Sequence, residues 1–248
     1  MRLLRALGIA FSTYSILPTG KFIWNDKDMK YAAAFFPLVG VLIGAAMFLW
    51  QFICWKMGFE VMTCIPVMVV IPVIITGGIH LDGFMDCADA LSSYEKKERR
   101  LEIMADPHIG AFAIIRLAVL GCLYFAVWSE LINGSKLHIA YAVFFFSRIL
   151  CCFSALYFPG AKQKGMLNSF FSLASRKFAT FFLIVEAAVC VWFMAGVNMG
   201  KTWIVVIAGC LLLFAYYKLS RRLFGGITGD TSGYFITVSE LVLLACLL

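Results

Sequence analysis

The sequence predicts an all-α polytopic membrane protein that forms a single integral membrane domain over residues 1–248. Of its 248 residues, 62% are hydrophobic and 14% are charged, whereas a soluble domain carries about 25% charged residues. The apolar residues form nearly uncharged blocks of about 15 to 25 residues, the length that an α-helix needs to cross a bilayer. The nine cysteines contain no C-x-x-C pair, so they predict small buried side chains rather than a metal site.

Seven apolar blocks predict about seven transmembrane helices. They cover residues 31–55, 62–79, 109–128, 138–157, 178–197, 202–219 and 234–248. The last block is short for a hydrocarbon core of about 30 Å, so we expect it to have little tilt, to extend backward or to pack inside the bundle. Residues 1–17 lack the apolar length of a signal peptide and predict an N-terminal interfacial or re-entrant helix.

The basic residues indicate which loops face the cytoplasm. With seven crossings, the loops around 18–30, 80–108, 158–177 and 218–233 share one side and carry most of the Lys and Arg residues, whereas the opposite turns carry Lys56, Lys136 and Lys201. The positive-inside rule therefore places the first set of loops, and any catalytic groups on them, in the cytoplasm. This arrangement explains the net charge of +7 without a nucleic-acid partner, which we do not expect.

An acidic stripe follows the second apolar block in the run TGGIHLDGFMDCADAL (76–91). Asp82, Asp86 and Asp89 recur at i, i+4 and i+7, so a helix would place them on one face. Since no Lys or Arg lies between them, the stripe favours a hard divalent cation, Mg²⁺ before Zn²⁺, over an ordinary solvated face. His80 adjoins the stripe and is expected either to donate to substrate or to orient Asp82.

Two further polar segments are expected on the same side of the membrane. Glu102 and Asp106, in ERRLEIMADPHIGAF, form a second acidic set that could face the stripe across a metal-bound diphosphate. The run GGITGDTSG (225–233) can present backbone N–H groups to an anion, or it is simply a turn between helices. Its candidate substrate-binding residues are Gly226, Thr228, Gly229, Asp230 and Thr231.

Arg148 lies in the middle of the fourth apolar block, where a charge costs a few kcal/mol unless it is paired or faces water. The sequence leaves two interpretations. Arg148 contacts a substrate phosphate at the floor of a cavity, or it forms an internal ion pair with Glu186 or Glu240.

These motifs together resemble the cobalamin synthase family, also called adenosylcobinamide-GDP ribazoletransferases. The resemblance rests on TGGIHLDGFMDCADAL, RRLEIMADPHIGAFAI and GGITGDTSG, with FSTYSILP (11–18) and FPLVGVLIG (36–44) before them, and runs in order from about residue 4 to residue 244. It implies a polytopic enzyme in which α-ribazole, or its 5′-phosphate, attacks adenosylcobinamide-GDP to give adenosylcobalamin, or its 5′-phosphate, and GMP. The expected reaction is the last assembly step of the cobalamin nucleotide loop. The resemblance also implies a requirement for Mg²⁺.

The resemblance also implies roles for individual residues. Asp82, Asp86 and Asp89, with Glu102 and Asp106, would hold Mg²⁺ on the diphosphate, and Asp86 is our choice for the carboxylate that acts as base. The catalytic residues would be Asp86, Asp82 and His80, while Arg148 and the 225–233 loop would face phosphate or guanine. The expected location is the bacterial or archaeal cytoplasmic (inner) membrane. Expected partners are the two substrates, the lipid bilayer, and a second copy or other cobalamin-assembly enzymes.

The sequence departs from the family pattern at a few positions. The stripe reads DGFMDCADAL where DGLADTADGL is commoner, which leaves the acidic spacing intact. Thr237 stands where a further Glu is usual, so Glu240 is the single acid of the last apolar block.

Three other classes are alternatives. A CDP-alcohol phosphotransferase would need an Ala-Arg pair after its DG motif, and an aspartate-rich prenyltransferase would normally have more helices. A cation transporter would place its acids near the midplane, often on inverted repeats, and no repeat is evident here.

Overall fold

The computed structural model describes residues 2–19, 25–132, 134, 137–161 and 166–248. Regular structure in these residues is helical, apart from an isolated β-bridge between Gly160 and Ile227. The helices, in chain order, are α1 (Arg2–Tyr14), α2 (Asp26–Ala32), α3 (Leu38–Met57), α4 (Val61–Thr76), α5 (Ile79–Ser92), α6 (Lys97–Ile103), α7 (Ala111–Leu131), α8 (Leu137–Tyr157), α9 (Met166–Ser172), α10 (Arg176–Val197), α11 (Met199–Phe224) and α12 (Gly229–Ala245), with a 3₁₀ turn over Ala33–Phe35.

Five of these helices, α3, α7, α8, α10 and α11, are long and apolar enough to cross a membrane. Helices α4 and α5 meet that standard only as a pair, and the pair is bent by 96°. The described residues therefore give five spans, or six if the bent pair counts as one. The all-α multi-pass architecture is confirmed, whereas the predicted count of seven spans is not.

Helix α12 corresponds to the seventh apolar block. It begins at Gly229, before the predicted start at residue 234, and most of its residues are buried. The short block thus extends backward and packs inside the bundle, which are two of the three expected solutions.

Helix α8 is the centre of the bundle. In its most apolar stretch 83% of the residues are buried, against 22–33% in the other four long helices, whose remaining surface is available to lipid. Helix α3 approaches α8 closely because Gly40 and Gly44 have no side chain there; a Cβ on Gly44 would lie 2.7 Å from the carbonyl oxygen of Tyr141. Small residues four apart are a common solution for close contact between membrane helices.

The TGG sequence at 76–78 separates α4 from α5. Gly77 and Gly78 adopt φ values of 62° and 80°, a left-handed conformation that glycine tolerates best. Helix α4 ends at this left-handed Gly77, and the hydroxyl of Thr76, its last residue, donates to the carbonyl of Pro72 at 2.7 Å. The chain can therefore turn by 96°, and α5 runs across the end of the bundle outside the five spans.

Helix α1 buries one face, formed by Ala6, Ile9, Ala10 and Tyr14. At 1.5 Å per residue its 13 residues extend about 20 Å, less than the hydrocarbon core. The predicted N-terminal helix is therefore present and too short to span, and its contact with the membrane interface stays a prediction.

Candidate functional site

Helix α5 carries the acidic stripe as predicted. Asp82 is exposed, while Asp86 and Asp89 are partly buried. The opposite face of the helix, which includes His80, Phe84 and Cys87, is buried. The three carboxylates therefore lie on the open side of a helix whose other side is fixed in the protein.

Helix α12 crosses α5 at two glycines, which brings the predicted glycine-rich segment to the stripe. A Cβ on Gly83 would lie 2.8 Å from the Cα and the carbonyl oxygen of Asp230, and one on Gly233 would lie 2.9 Å from the carbonyl oxygen of His80. The crossing places Asp230, a residue far away in sequence, against the acidic helix.

Asp86 shows how strongly the carboxylates interact. Burial and, in decreasing order of importance, the negative charges of Asp82, Asp230 and Asp89 together raise the pKa of Asp86 to about 6. A carboxyl group with a pKa near neutrality can accept a proton during a reaction. The same crowding of like charges favours the binding of a cation, or of a phosphate group whose charge a cation has neutralised.

Asp89 has a structural role that the spacing did not reveal. Its two carboxylate oxygens accept hydrogen bonds from the backbone N–H groups of Gly110, at 2.6 Å, and Ala113, at 2.8 Å. These amides belong to the N-terminus of α7, where a negative charge is favourable. Asp89 therefore joins α5 to α7, and its predicted role as a metal ligand would compete with these bonds.

A cavity of about 210 Å³ opens between α1, α5, α8, α9 and α12. Its polar wall contains Asp82, Asp230, Gly229 and His80. Asp86 lies one turn along α5 from Asp82 and does not line the cavity. Asp82, Asp230 and the first turn of α12 therefore line the same cavity, an arrangement that suits a phosphate-bearing substrate.

His80 is 8% exposed and borders a second, inner cavity of about 90 Å³. Among the residues that the structure describes, its Nε2 has no hydrogen-bond partner. Burial and the nearby Arg148 guanidinium lower the pKa of His80, so the ring is neutral. Its backbone carbonyl accepts a bond from the Thr237 hydroxyl at 3.4 Å. Because Nε2 is also inaccessible to solvent, a hydrogen bond between His80 and substrate stays a prediction.

The second acidic set lies on the surface. Glu102 is paired with Arg99 at 2.8 Å, and Asp106 with His108 at 2.6 Å. Within the described ranges, no group of three or more His, Cys, Asp or Glu side chains is arranged to hold a metal ion. The five carboxylates predicted as ligands are thus not gathered into one ready-made metal cage.

The glycine-rich segment divides into structural and cavity-lining residues. Thr228 and Thr231 form a capping box at the start of α12, in which each hydroxyl accepts a bond from the backbone N–H of the other. Gly226 packs against the backbone of residues 159–161, where a Cβ would lie 2.5 Å from the Pro159 carbonyl oxygen. Gly229 and Asp230 line the cavity, so two of the five predicted substrate-binding residues lie where substrate could reach them.

Arg148 is 1% exposed and forms an ion pair with Glu240 at 2.5 Å. It also donates to the carbonyl of Phe144 at 2.8 Å. Of the two interpretations that the sequence allowed, the structure shows the internal pair. Arg148 also lines the cavity that His80 borders, and its contact with a substrate phosphate stays a prediction. Lys162 and Lys164, basic residues of the 158–177 loop, lie outside the described residues.

The sequence analysis missed the apolar wall of the cavity. Tyr14, Phe36, Ile79, Phe171 and Ile236 line it beside the carboxylates. Tyr14 and Phe36 lie in the motifs FSTYSILP and FPLVGVLIG, which contain no ionisable group other than the tyrosine. The recurrence of those motifs beside the acidic ones was the only signal that could have indicated them.

The family model and the similar proteins all indicate the same family. A family model described as cobalamin-5-phosphate synthase matches residues 6–248. A protein of Lachnoclostridium phytofermentans is 39% identical over 242 residues, which cover 98% of this chain and 92% of that protein. Relatives from Clostridium botulinum, 31% identical over 99% of this chain and 98% of theirs, and from Clostridium perfringens, 29% identical over 95% and 94%, are similar too. All three are named adenosylcobinamide-GDP ribazoletransferase. No solved structure matches the chain.

Proposed function

The chain belongs to the cobalamin-5-phosphate synthase family, and on this basis we propose that it joins α-ribazole, or its 5′-phosphate, to adenosylcobinamide-GDP. The products are adenosylcobalamin, or its 5′-phosphate, and GMP. The structural observation that best supports this reaction is the crossing of α5 and α12, which places Asp82 and Asp230 on one wall of a cavity with Asp86 beside them.

The reaction needs a proton acceptor near the acceptor hydroxyl. We assign this role to Asp86, because its pKa of about 6 leaves it ionised at neutral pH and still basic enough to take a proton. The hydroxyl oxygen forms a bond to phosphorus, the hydroxyl proton passes to the carboxylate, and the bond between that phosphorus and the GMP oxygen breaks. His80 contacts a substrate from the buried side of the cavity, and the first turn of α12 faces the phosphate charge.

The carboxylates also fit a Mg²⁺ requirement. Mg²⁺ is commonly held by one or two carboxylates together with substrate phosphate oxygens, so the absence of a three-residue cage among the described residues agrees with binding together with the diphosphate. Asp82 and Asp230, which line the cavity, would hold the ion, and Asp86, Asp89, Glu102 and Asp106 remain predicted additional ligands. When bound, Mg²⁺ would neutralise phosphate charge and stabilise the leaving GMP.

The location and orientation belong to the same proposal. Five or six apolar helices support a multi-pass membrane protein, and the basic loops favour the cytoplasmic membrane of a bacterium or archaeon with the carboxylates facing the cytoplasm. Association with a second copy or with other cobalamin-assembly enzymes is a further proposal. Lys97 is exposed. A membrane-impermeant thiol probe should label the Lys97→Cys variant in inverted vesicles and not in intact cells.

The decisive experiment follows GMP and cobalamin after incubation of detergent-purified protein with adenosylcobinamide-GDP, α-ribazole and Mg²⁺. The matched variants are Asp86→Asn and Asp26→Asn, the latter on an exposed position of α2. We expect product from the wild type and from Asp26→Asn, none after chelation, and recovery when Mg²⁺ is returned. Absence of product from folded wild-type protein would refute the proposed reaction, and full activity of Asp86→Asn would remove its assigned role.

A further inference from the structure

The lining of the cavity beside the carboxylates is chemically mixed. Asp82 and Asp230 are its acidic residues, and its apolar wall is formed by Tyr14, Phe36, Ile79, Leu167, Phe171 and Ile236. The mechanism described above uses the acidic residues and gives no role to the apolar wall. An apolar wall in the same cavity as groups for phosphate chemistry is expected to bind the apolar part of a substrate.

The aromatic rings of the wall pack against one another. The ring centroids of Tyr14 and Phe36 lie 4.6 Å apart, and Tyr14 also packs edge-on against Phe170 with a centroid distance of 5.2 Å. Phe36 contacts the His80 ring at 6.2 Å. Because these rings hold one another in place, a planar group could bind there without a rearrangement of the wall.

Each substrate of the proposed reaction brings a heteroaromatic base. Guanine carries several donors and acceptors on its edges, and each one that is buried without a partner costs about 1–3 kcal/mol. The apolar wall offers few partners: the Ser232 hydroxyl already donates to the Thr228 carbonyl at 2.8 Å, which leaves the Tyr14 hydroxyl and a single nitrogen of His80. The base of α-ribazole is a dimethylbenzimidazole, which has one free ring nitrogen and an otherwise apolar outline.

We propose that the apolar wall of this cavity binds the benzimidazole base of α-ribazole, so that the ribose extends toward Asp82 and Asp230. The assignment rests on the proposed function and goes beyond it by giving the acceptor nucleoside a defined subsite. A volume of about 210 Å³ suits a bicyclic base with part of its sugar, whereas the corrin, with its four linked rings, stays outside. The guanosine then binds elsewhere along the acidic face.

The test compares two wall variants with a matched control. Phe171→Ala and Ile79→Ala each remove apolar contact from a side chain that is only partly buried, so two independent variants protect against a folding failure of one. Phe181→Ala removes the same ring as Phe171→Ala from a position of α10 that is 63% exposed and distant from the cavity wall. The Michaelis constant of each substrate is measured with the other one saturating.

We expect both wall variants to raise the Michaelis constant for α-ribazole about tenfold, the size of effect that loss of apolar contact has on substrate discrimination. The constant for adenosylcobinamide-GDP should change less than about twofold, and Phe181→Ala should behave as wild type. A rise for adenosylcobinamide-GDP instead would overturn the assignment in favour of guanine, and unchanged constants in both folded variants would overturn it altogether.

Calorimetric titration of α-ribazole alone separates this inference from the proposed reaction. If the wild type gives no product but binds α-ribazole, and Phe171→Ala weakens that binding about tenfold, the subsite stands while the proposed reaction fails. If product forms and Phe171→Ala binds α-ribazole as tightly as the wild type, the reaction stands and the subsite is rejected.

Discussion

Arg148 and Glu240 form an ion pair inside the helical bundle, with Nη1 of Arg148 2.5 Å from Oε1 of Glu240 and both side chains nearly inaccessible. Tyr124 donates its hydroxyl to the same carboxylate at 3.2 Å. The pair joins α8 to α12, and both of its members line the cavity of about 90 Å³ that His80 also borders. Its main effect is therefore expected on the assembly of the fold, with an indirect effect on the site.

Breaking the pair should destabilise the protein. Arg148→Met or Glu240→Leu alone leaves one buried charge without its partner, which costs about 3–5 kcal/mol. The double variant removes both charges, so its loss should be clearly smaller than the sum of the two single losses. Thermal unfolding in detergent measures this, and additive losses would contradict it. Product formation by the folded double variant would also exclude a required phosphate contact for Arg148.

Asp89→Asn should reduce stability more than it reduces the intrinsic chemistry. The amide would keep one acceptor for the N-terminus of α7 and turn an N–H₂ group toward the other backbone donor. Loss of a charged acceptor at this position should cost about 1–3 kcal/mol. The midpoint of unfolding in detergent reports the change. An unaltered midpoint with complete loss of activity would instead support the predicted role of Asp89 as a metal ligand.

Asp82→Asn should show the opposite combination. Asp82 is exposed and its charge raises the pKa of Asp86, so its neutralisation relieves repulsion and should leave stability unchanged or slightly higher. Activity should fall at least about a hundredfold, because a carboxylate facing the substrate phosphates is lost. The rate of GMP release, measured beside the unfolding midpoint, tests both statements. A variant with near-wild-type turnover would contradict the assignment of Asp82.

Gly83→Ala should damage the site through the backbone. The new Cβ would meet Asp230 at 2.8 Å, where neither helix can yield by a side-chain rotation, so α12 must shift away from α5. We expect a loss of turnover of more than about tenfold.

Gly196→Ala is the matched control for that change. Gly196 lies in α10 with nothing within 4 Å of the added Cβ, so it should be neutral or stabilise by up to about 1 kcal/mol. Equal turnover in the two variants would show that the close contact between α5 and α12 is unimportant for the reaction.

The sequence predicted the parts of the site that depend on local spacing. The stripe of Asp82, Asp86 and Asp89 follows from helical periodicity. The bonds from Gly110 and Ala113 to Asp89 could not be predicted, since they join helices about twenty residues apart and a capping carboxylate resembles a ligand carboxylate in sequence. The role of Thr228 and Thr231 was readable in principle, because T-x-x-T before a helix is compatible with a capping box.

The number of spans could not be derived from hydropathy alone. The apolar block at 62–79 ends at two glycines, and hydropathy does not reveal that Gly77 and Gly78 turn the next helix by 96°. The aromatic wall was missed for a different reason. Tyr14 comes from α1 and Phe36 from the chain before α3, and only tertiary packing brings them together.

The pair between Arg148 and Glu240 also affects the order in which the helices can assemble during synthesis. Its members are separated by 92 positions, so Arg148 enters the membrane long before the segment that neutralises it has been synthesised. During that interval α8 carries an uncompensated charge that lipid disfavours by a few kcal/mol. Helix α8 is therefore expected to reach its final central position only after α12 has been synthesised and has packed against it.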